Sequence, residues 1–442
     1  MRAILTTTFA FVVCALTITP VGFAQNSFSE WRGKGGVGHA DAKNLPVKWN
    51  ATTGIAWAAP IEGLGWSTPI VGDGKVWITS GIHTPASAEE QARRRKLTTN
   101  SQPLIISKHV SLRAICFDLA TGKELYNIEV LAVDDPQIIH RTNSYATPTP
   151  ILEGEMLYCH FGALGMIGLN TKSQQVVWSN TNLSVKLENG PGSSPVLWNN
   201  LLILHCDGID QQYIVALDKK TGKIAWKTER SGELNDNPQL RKSYCTPVVV
   251  EINGNDQIVS PSADWVYGYD PESGKELWKH HYGQLGFSNA ARPVLGNGLV
   301  FVTTGYMKAA MLALDIQTTG GHQKAVVKWR FDRQVPNVSS PVVVGNEIYF
   351  SSDNGIVTCL DSRTGDEHWV HRMGARFWAS PLYADGKIYF FERDGVTTVI
   401  EPGVKYTELG KNELAGTLFA SPSAVDGRLL IRTDKMLYCI EK

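Results

Sequence analysis

The sequence has no CxxC, no adjacent cysteine pair and no CxxCH, which excludes a thioredoxin-type redox motif and covalent haem attachment. HExxH and GxSxG are also missing, and with them the zinc-protease helix and the serine-hydrolase elbow. Charge is balanced at 42 basic against 42 acidic residues, so no net field draws nucleic acid or an anionic membrane. Beyond residue 24 no apolar run is long enough to span a bilayer. Cys116, Cys159, Cys206, Cys245, Cys359 and Cys439 lie far apart, five of the six in apolar strand-like runs, and are expected as buried thiols rather than disulfides or metal ligands.

The start of the chain sets the expected compartment. Arg2 precedes a mostly apolar or small stretch from Ala3 to Ile18, and Gly22-Phe23-Ala24 offers small residues for cleavage. Residues 1–24 therefore read as a secretory signal, and the protein as exported to a periplasm or the extracellular space, with no membrane span and as a monomer. Cys14 follows Phe11-Val12-Val13, which is not an acylation box.

What is present is a repeat. A small or aromatic residue, Ser or Thr, and Pro lead into an apolar run at Pro69, Pro148, Pro195, Pro247, Pro293, Pro341, Pro381 and Pro422. After a first interval of 79 residues the steps are 47, 52, 46, 48, 40 and 41. A second element follows, as in "VALDKKTGKIAW": an Asp, a Thr-Gly or Ser-Gly turn, then Trp. The turn glycine supplies the positive φ of a tight hairpin, and apolar alternation reads as strands with one buried face. Trp178, Trp226, Trp278, Trp329 and Trp369 close successive units, with Tyr126 and Tyr406 in the same place in weaker copies. Eight such units imply an all-β, eight-bladed β-propeller of four-stranded antiparallel blades. The last copy stops at "MLYCIEK" while Gly54 to Pro60, with Trp57, has no strands before it, so this N-terminal strand is expected to close the ring. The organisation is then a signal (1–24), an arm (25–53) and one propeller (54–442), with an insertion at 82–113 in the first blade.

The pattern A-x-D-x-x-T-G-K-x-x-W, clearest from Ala216 to Trp226, resembles the pyrroloquinoline-quinone-type (PQQ-like) propeller repeat. That family includes quinoprotein alcohol dehydrogenases, an outer-membrane assembly lipoprotein and secreted propellers, and the resemblance implies that each Trp packs between neighbouring blades. It covers nearly all of residues 55–442.

"WRGKGGVGHADAK" places Gly33, Gly35 and Gly38 on the spacing GxGxxG, but no strand precedes it and no helix follows. His39 and Ala40 stand where a phosphate loop needs Lys and Ser or Thr. The stretch reads as a glycine-rich arm in which Trp31 tucks against the ring.

Ligand-binding candidates are the inter-blade loops at the channel mouth: His140, Arg141, Asn143, Tyr145, Glu188, Asn189, Arg241, Lys242 and Tyr244, then Asn289, Arg292, Asn337, Arg376 and Trp378. Such a ring suits an anionic or sugar-like ligand, against the plainer reading of solvated loops. The insertion emerges on the same face, with a short helix over Ala86 to Lys96, acids early and bases late, expected to cap part of the mouth. No catalytic or metal-ligating set is evident. Two functions remain: a binding or assembly scaffold for a protein, peptide or glycan with no cofactor, or a quinoprotein alcohol or sugar dehydrogenase. The resemblance implies for the latter PQQ with calcium, adjacent cysteines and an acid set, none of which can be placed here by motif.

Overall fold

A computed structural model describes residues 27–283 and 286–442, so the expected signal lies outside the described residues. The strands form eight antiparallel blades around a hub, closed by an N-terminal strand. The third blade shows the plan: Val196–Trp198 innermost, then Leu201–Asp207, Gln212–Asp218 and Ile224–Glu229. Its two middle strands are buried on both faces and not on one as the alternation suggested, because each blade is flanked by two others.

The T-G-K turn builds itself. Asp218 Oδ1 accepts from Thr221 N–H (2.9 Å) and Thr221 Oγ1–H (2.8 Å), and Gly222, at φ 68°, closes the turn on Asp218 O. The same Asp–hydroxyl clasp recurs at Asp118 with Thr121 and at Asp270 with Ser273.

That turn is also where the preceding blade docks. Trp178 Nε1–H donates to Lys219 O at 3.0 Å, and a Cβ on Gly222 would lie 2.3 Å from the Trp178 ring. Trp57 meets Leu119 O and Gly122, Trp226 meets Pro271 O and Gly274, Trp329 meets Ser362 O and Gly365, and Trp369 meets Gly403 O. Trp278 departs: it bonds Gln257 Oε1 in its own blade, since the next hairpin is prolonged by Met311–Thr319 and His322–Phe331. Tyr126 occupies the Trp position, opposite Cys116 as Trp178 is opposite Gly168. Tyr406 does not. Register puts Gly410 there, opposite Val399, with Val47 of the arm over it, while Tyr406 belongs to the receiving turn and packs on Trp369 and His371.

At the head of each innermost strand, the residue before Pro forms a belt. Thr68 N–H donates to Thr149 Oγ1, Thr149 N–H to Ser194 Oγ and Ser194 N–H to Thr246 Oγ1, each at 2.9 Å. Arg292, Ser340 and Ser380 N–H donate likewise to Ser340, Ser380 and Ser421, and Thr68 Oγ1–H reaches Ser421 O. Where the fifth blade has Arg292 in place of a hydroxyl, its Nε–H makes the link to Pro247 O at 3.0 Å. Proline holds its predecessor extended and brings no N–H needing a partner in the channel. The second blade therefore counts from Pro150, not Pro148, because Thr149 carries the belt hydroxyl.

The arm is not a surface strap. Phe28 pairs with Val71, Ser29 O accepts from Leu152 N–H, and His39–Ala40 adds a parallel strand to Tyr383–Ala384. These contacts fall beside the hairpin turns of the innermost strands, so the glycine loop plugs the channel from that end. Gly33, Gly35, Gly36 and Gly38 all have φ between 70° and 86°. The arm then passes over the seventh blade, with Trp49 N–H on Asn412 Oδ1, and becomes Ile55–Pro60, paired antiparallel with Met436–Ile440.

Two outcomes follow from the seams. Trp178→Ala should cost about 3–5 kcal/mol by loss of a buried indole, read by denaturant unfolding; a change under about 1 kcal/mol would contradict the docking role. Removing residues 47–60 should lower the thermal midpoint, and an unchanged midpoint would show that the eighth blade does not need its outer strand.

Candidate functional site

Strand alternation gathers the inter-blade loops and the loops between second and third strands at one end, the mouth. There the first blade rises above the ring on Lys75–Pro85, Ser107–Asp118 and Glu124–Asp134. It carries the helix Ala88–Arg95, capped by Ser87 Oγ accepting Glu90 N–H, with Glu89 and Glu90 in its first turn and Arg93, Arg94 and Arg95 in its last. After it, Leu104–Ile105 pairs with Ile139–His140 of the next inter-blade loop.

The insertion is sewn to three loops. Arg94 donates to Ser107 O and Pro136 O, Thr98 Oγ1–H to Glu188 Oε1 (2.9 Å), and Asn100 Nδ2–H to Asn189 Oδ1 (2.7 Å). Gln239 Nε2–H spans Glu188 Oε2 (2.7 Å) and Thr99 Oγ1 (3.1 Å), while Lys242 Nζ donates to Gln239 Oε1 (2.7 Å). Burial holds the Lys242 ammonium below its ordinary range, partly offset by Glu188. Asn143 Nδ2–H bonds Asn189 O and Pro191 O, Tyr145 OH donates to Gln137 O, Tyr244 OH to Leu187 O, and Arg241 to Asn235 O. His140 Nδ1 is paired with Thr142 Oγ1, and burial followed by Arg141 lowers its basicity.

Nine of the sequence candidates are thus brought together: the side chains of Asn143, Tyr145, Glu188, Asn189 and Tyr244 join loop to loop or loop to insertion, those of His140, Arg241 and Lys242 bond within their own loops, and Arg141 joins by its amide, to Pro103 O, and leaves its side chain exposed. The others fall elsewhere. Arg292 lies in the hub below the mouth, 2% exposed, because the belt and arm carbonyls take its guanidinium. Asn289 is buried on Ser262 O and Tyr282 OH, and Asn337 bonds Asp353. Arg376 is exposed near half-buried Trp378 on the far side of the mouth.

Trp378 belongs to a cluster that loop-by-loop reading missed. It stacks on Phe419 (4.5 Å, 24°), Trp66 meets Phe419 edge-on (4.5 Å, 89°), and the Arg393 guanidinium lies 5.4 Å from the Trp378 centroid and 5.1 Å from that of Phe419. The signal was there: Trp66, Trp378 and Phe419 all stand three residues before the belt proline.

A PQQ-type family model described as outer membrane protein assembly factor BamB matches residues 86–258 and 324–404, more than half of the chain. The chain belongs to this family. Within the family, a BamB of Burkholderia pseudomallei (strain K96243) is 30% identical over 95 residues, 21% of this chain and about a quarter (24%) of that protein. The solved BamB from Moraxella catarrhalis superposes with a TM-score of 0.51 at 13% identity, over 82% of this chain and 98% of that one. A europium-containing methanol dehydrogenase gives 0.50 at 11% identity, over 92% and 90%. These likenesses show the fold. The family match takes in most of the insertion and the loops that lead into the second, third and fourth blades; the arm, Arg292 and the eighth blade lie outside it.

Beneath the sewn loops two imidazoles are sealed in. His160 Nδ1–H donates to Ser193 O, and His205 Nδ1 accepts from Arg230, which also bonds Asp207. Burial holds both histidines down to about 4. Unfolded, each takes a proton near pH 6.5. Their contribution to stability is therefore complete above about pH 6.5 and declines as pH falls toward 4. Thermal midpoints measured from pH 7 to 4 should fall, and His160→Gln should give a shallower slope; an identical slope would contradict this.

Proposed function

We propose that the chain is an exported binding and assembly scaffold that recognises a protein segment on its mouth face. One observation carries the reading: the insertion is hydrogen-bonded to Glu188, Asn189 and Gln239, from the loops that lead into the third and fourth blades, and makes a broad, ordered relief. The cavity beneath the neighbouring inter-blade loops, lined by His160, His205, Pro191 and Tyr244, measures about 10 Å³, room for one water and no substrate. A relief without a deep pocket suits a partner that lies across it. The family's assembly-factor description points the same way. Export rests on the N-terminal sequence, and among the described residues no helix is long and apolar enough to cross a membrane.

The residues do not favour the dehydrogenase reading. Calcium beside a quinone needs converging carboxylates, and among the described residues no group of three or more His, Cys, Asp or Glu is placed to hold a metal ion. The arm's Trp31 and Arg32 also fill the hub.

Replacing residues 86–106 by a short turn should leave cooperative unfolding intact and abolish capture of the partner from the exported fraction of the native cell. Capture equal to that of the intact chain, or loss of folding, would refute the role of the insertion. Added PQQ and calcium should produce neither quinone absorbance nor alcohol-dependent dye reduction, and turnover would reverse the choice.

A further inference from the structure

The hub holds two buried guanidiniums whose hydrogen-bond acceptors are all neutral carbonyls. Arg32 and Arg292 are each 2% exposed. Arg32 uses one terminal nitrogen for Val37 O (3.2 Å) and Pro341 O (2.6 Å), and its Nε and other terminal nitrogen have no acceptor. Arg292 donates to Pro247 O and Trp31 O. Carbonyls orient a guanidinium but carry no charge to balance it. Glu30 acts on Arg292, yet its carboxylate also accepts the Gly35 N–H, and burial pushes it toward the neutral form. Burial and the repulsion of Arg292 together hold Arg32 down to about 9.

The glycine loop is shaped around these cations. A Cβ on Gly36 would lie 1.6 Å from Arg292 Nη1, and one on Gly38 would lie 2.3 Å from Arg32 Nη2. A loop that lacks the strand and helix of a phosphate site nevertheless brings the Arg32 guanidinium within electrostatic reach of Arg292. Buried charge without a counter-ion is strongly destabilising, and an anion offsets it.

We propose that Arg32 and Arg292 retain one small inorganic anion inside the channel, of the halide-to-sulfate class, with the unsatisfied N–H groups of Arg32 as its donors. The site is independent of whatever docks at the mouth.

Crystals of the intact protein soaked in bromide should show an anomalous peak within hydrogen-bonding reach of Arg32 Nε. At constant ionic strength, chloride or sulfate should raise the thermal midpoint by about 2 °C or more over gluconate. Arg32→Met should abolish that difference. Arg432→Met should keep it, because Arg432 is bonded to Ser67 between the eighth and first blades. No peak at Arg32, a peak only at Arg432, or equal midpoints in every anion would overturn the proposal and leave water as the partner. If Arg32→Met does not fold, the bromide map of the unsubstituted protein decides.

Discussion

The architecture depends on each blade finding a partner on both sides. A four-stranded sheet buries its faces only against neighbours, so nothing is complete until the circle is. Two devices fix the angle between neighbours. Near the rim, an indole lies on the next blade's turn glycine and bonds a turn carbonyl. At the hub, an amide bonds the next blade's hydroxyl. Both are short-range and directional, and both repeat because the sequence repeats.

Where one half of a device is missing, the other half tends to be missing too. Tyr126 replaces Trp in the first blade, and the turn it faces, Asn170 to Gln175, has no glycine to receive an indole. The seventh blade has Gly410 in place of Trp, and Val47 of the arm fills the gap. Arg292 substitutes for a hydroxyl and makes the belt link with its own guanidinium. These departures fall where the arm enters or where the prolonged first blade stands, so the irregular parts of the ring are also its particular parts.

Fold class, blade number and closing strand were legible in the sequence because they rest on local chemistry: an Asp that clasps a hydroxyl, a glycine at positive φ, a proline after a hydroxyl. Errors came where two local solutions looked alike. "ATPTP" offers two prolines and only register selects Pro150; "VKYTELG" offers an aromatic residue, but the strand bulge assigns Gly410. The mouth was legible as a set of polar loops, though not that Glu188, Asn189 and Lys242 would bond the insertion and its neighbours in place of facing solvent. The arm was the least legible, because Arg32 finds Pro341 and Trp31 finds Arg292, contacts that no local pattern encodes.

The strand that seals the ring sets an order of events. Ile55 pairs with Ile440, so two segments from opposite ends of the propeller's own sequence must meet before the ring is sealed. Without that pairing the eighth blade would present Met436–Ile440 as an unpaired edge. Contacts of such high contact order form slowly relative to the hairpin pairings within one blade.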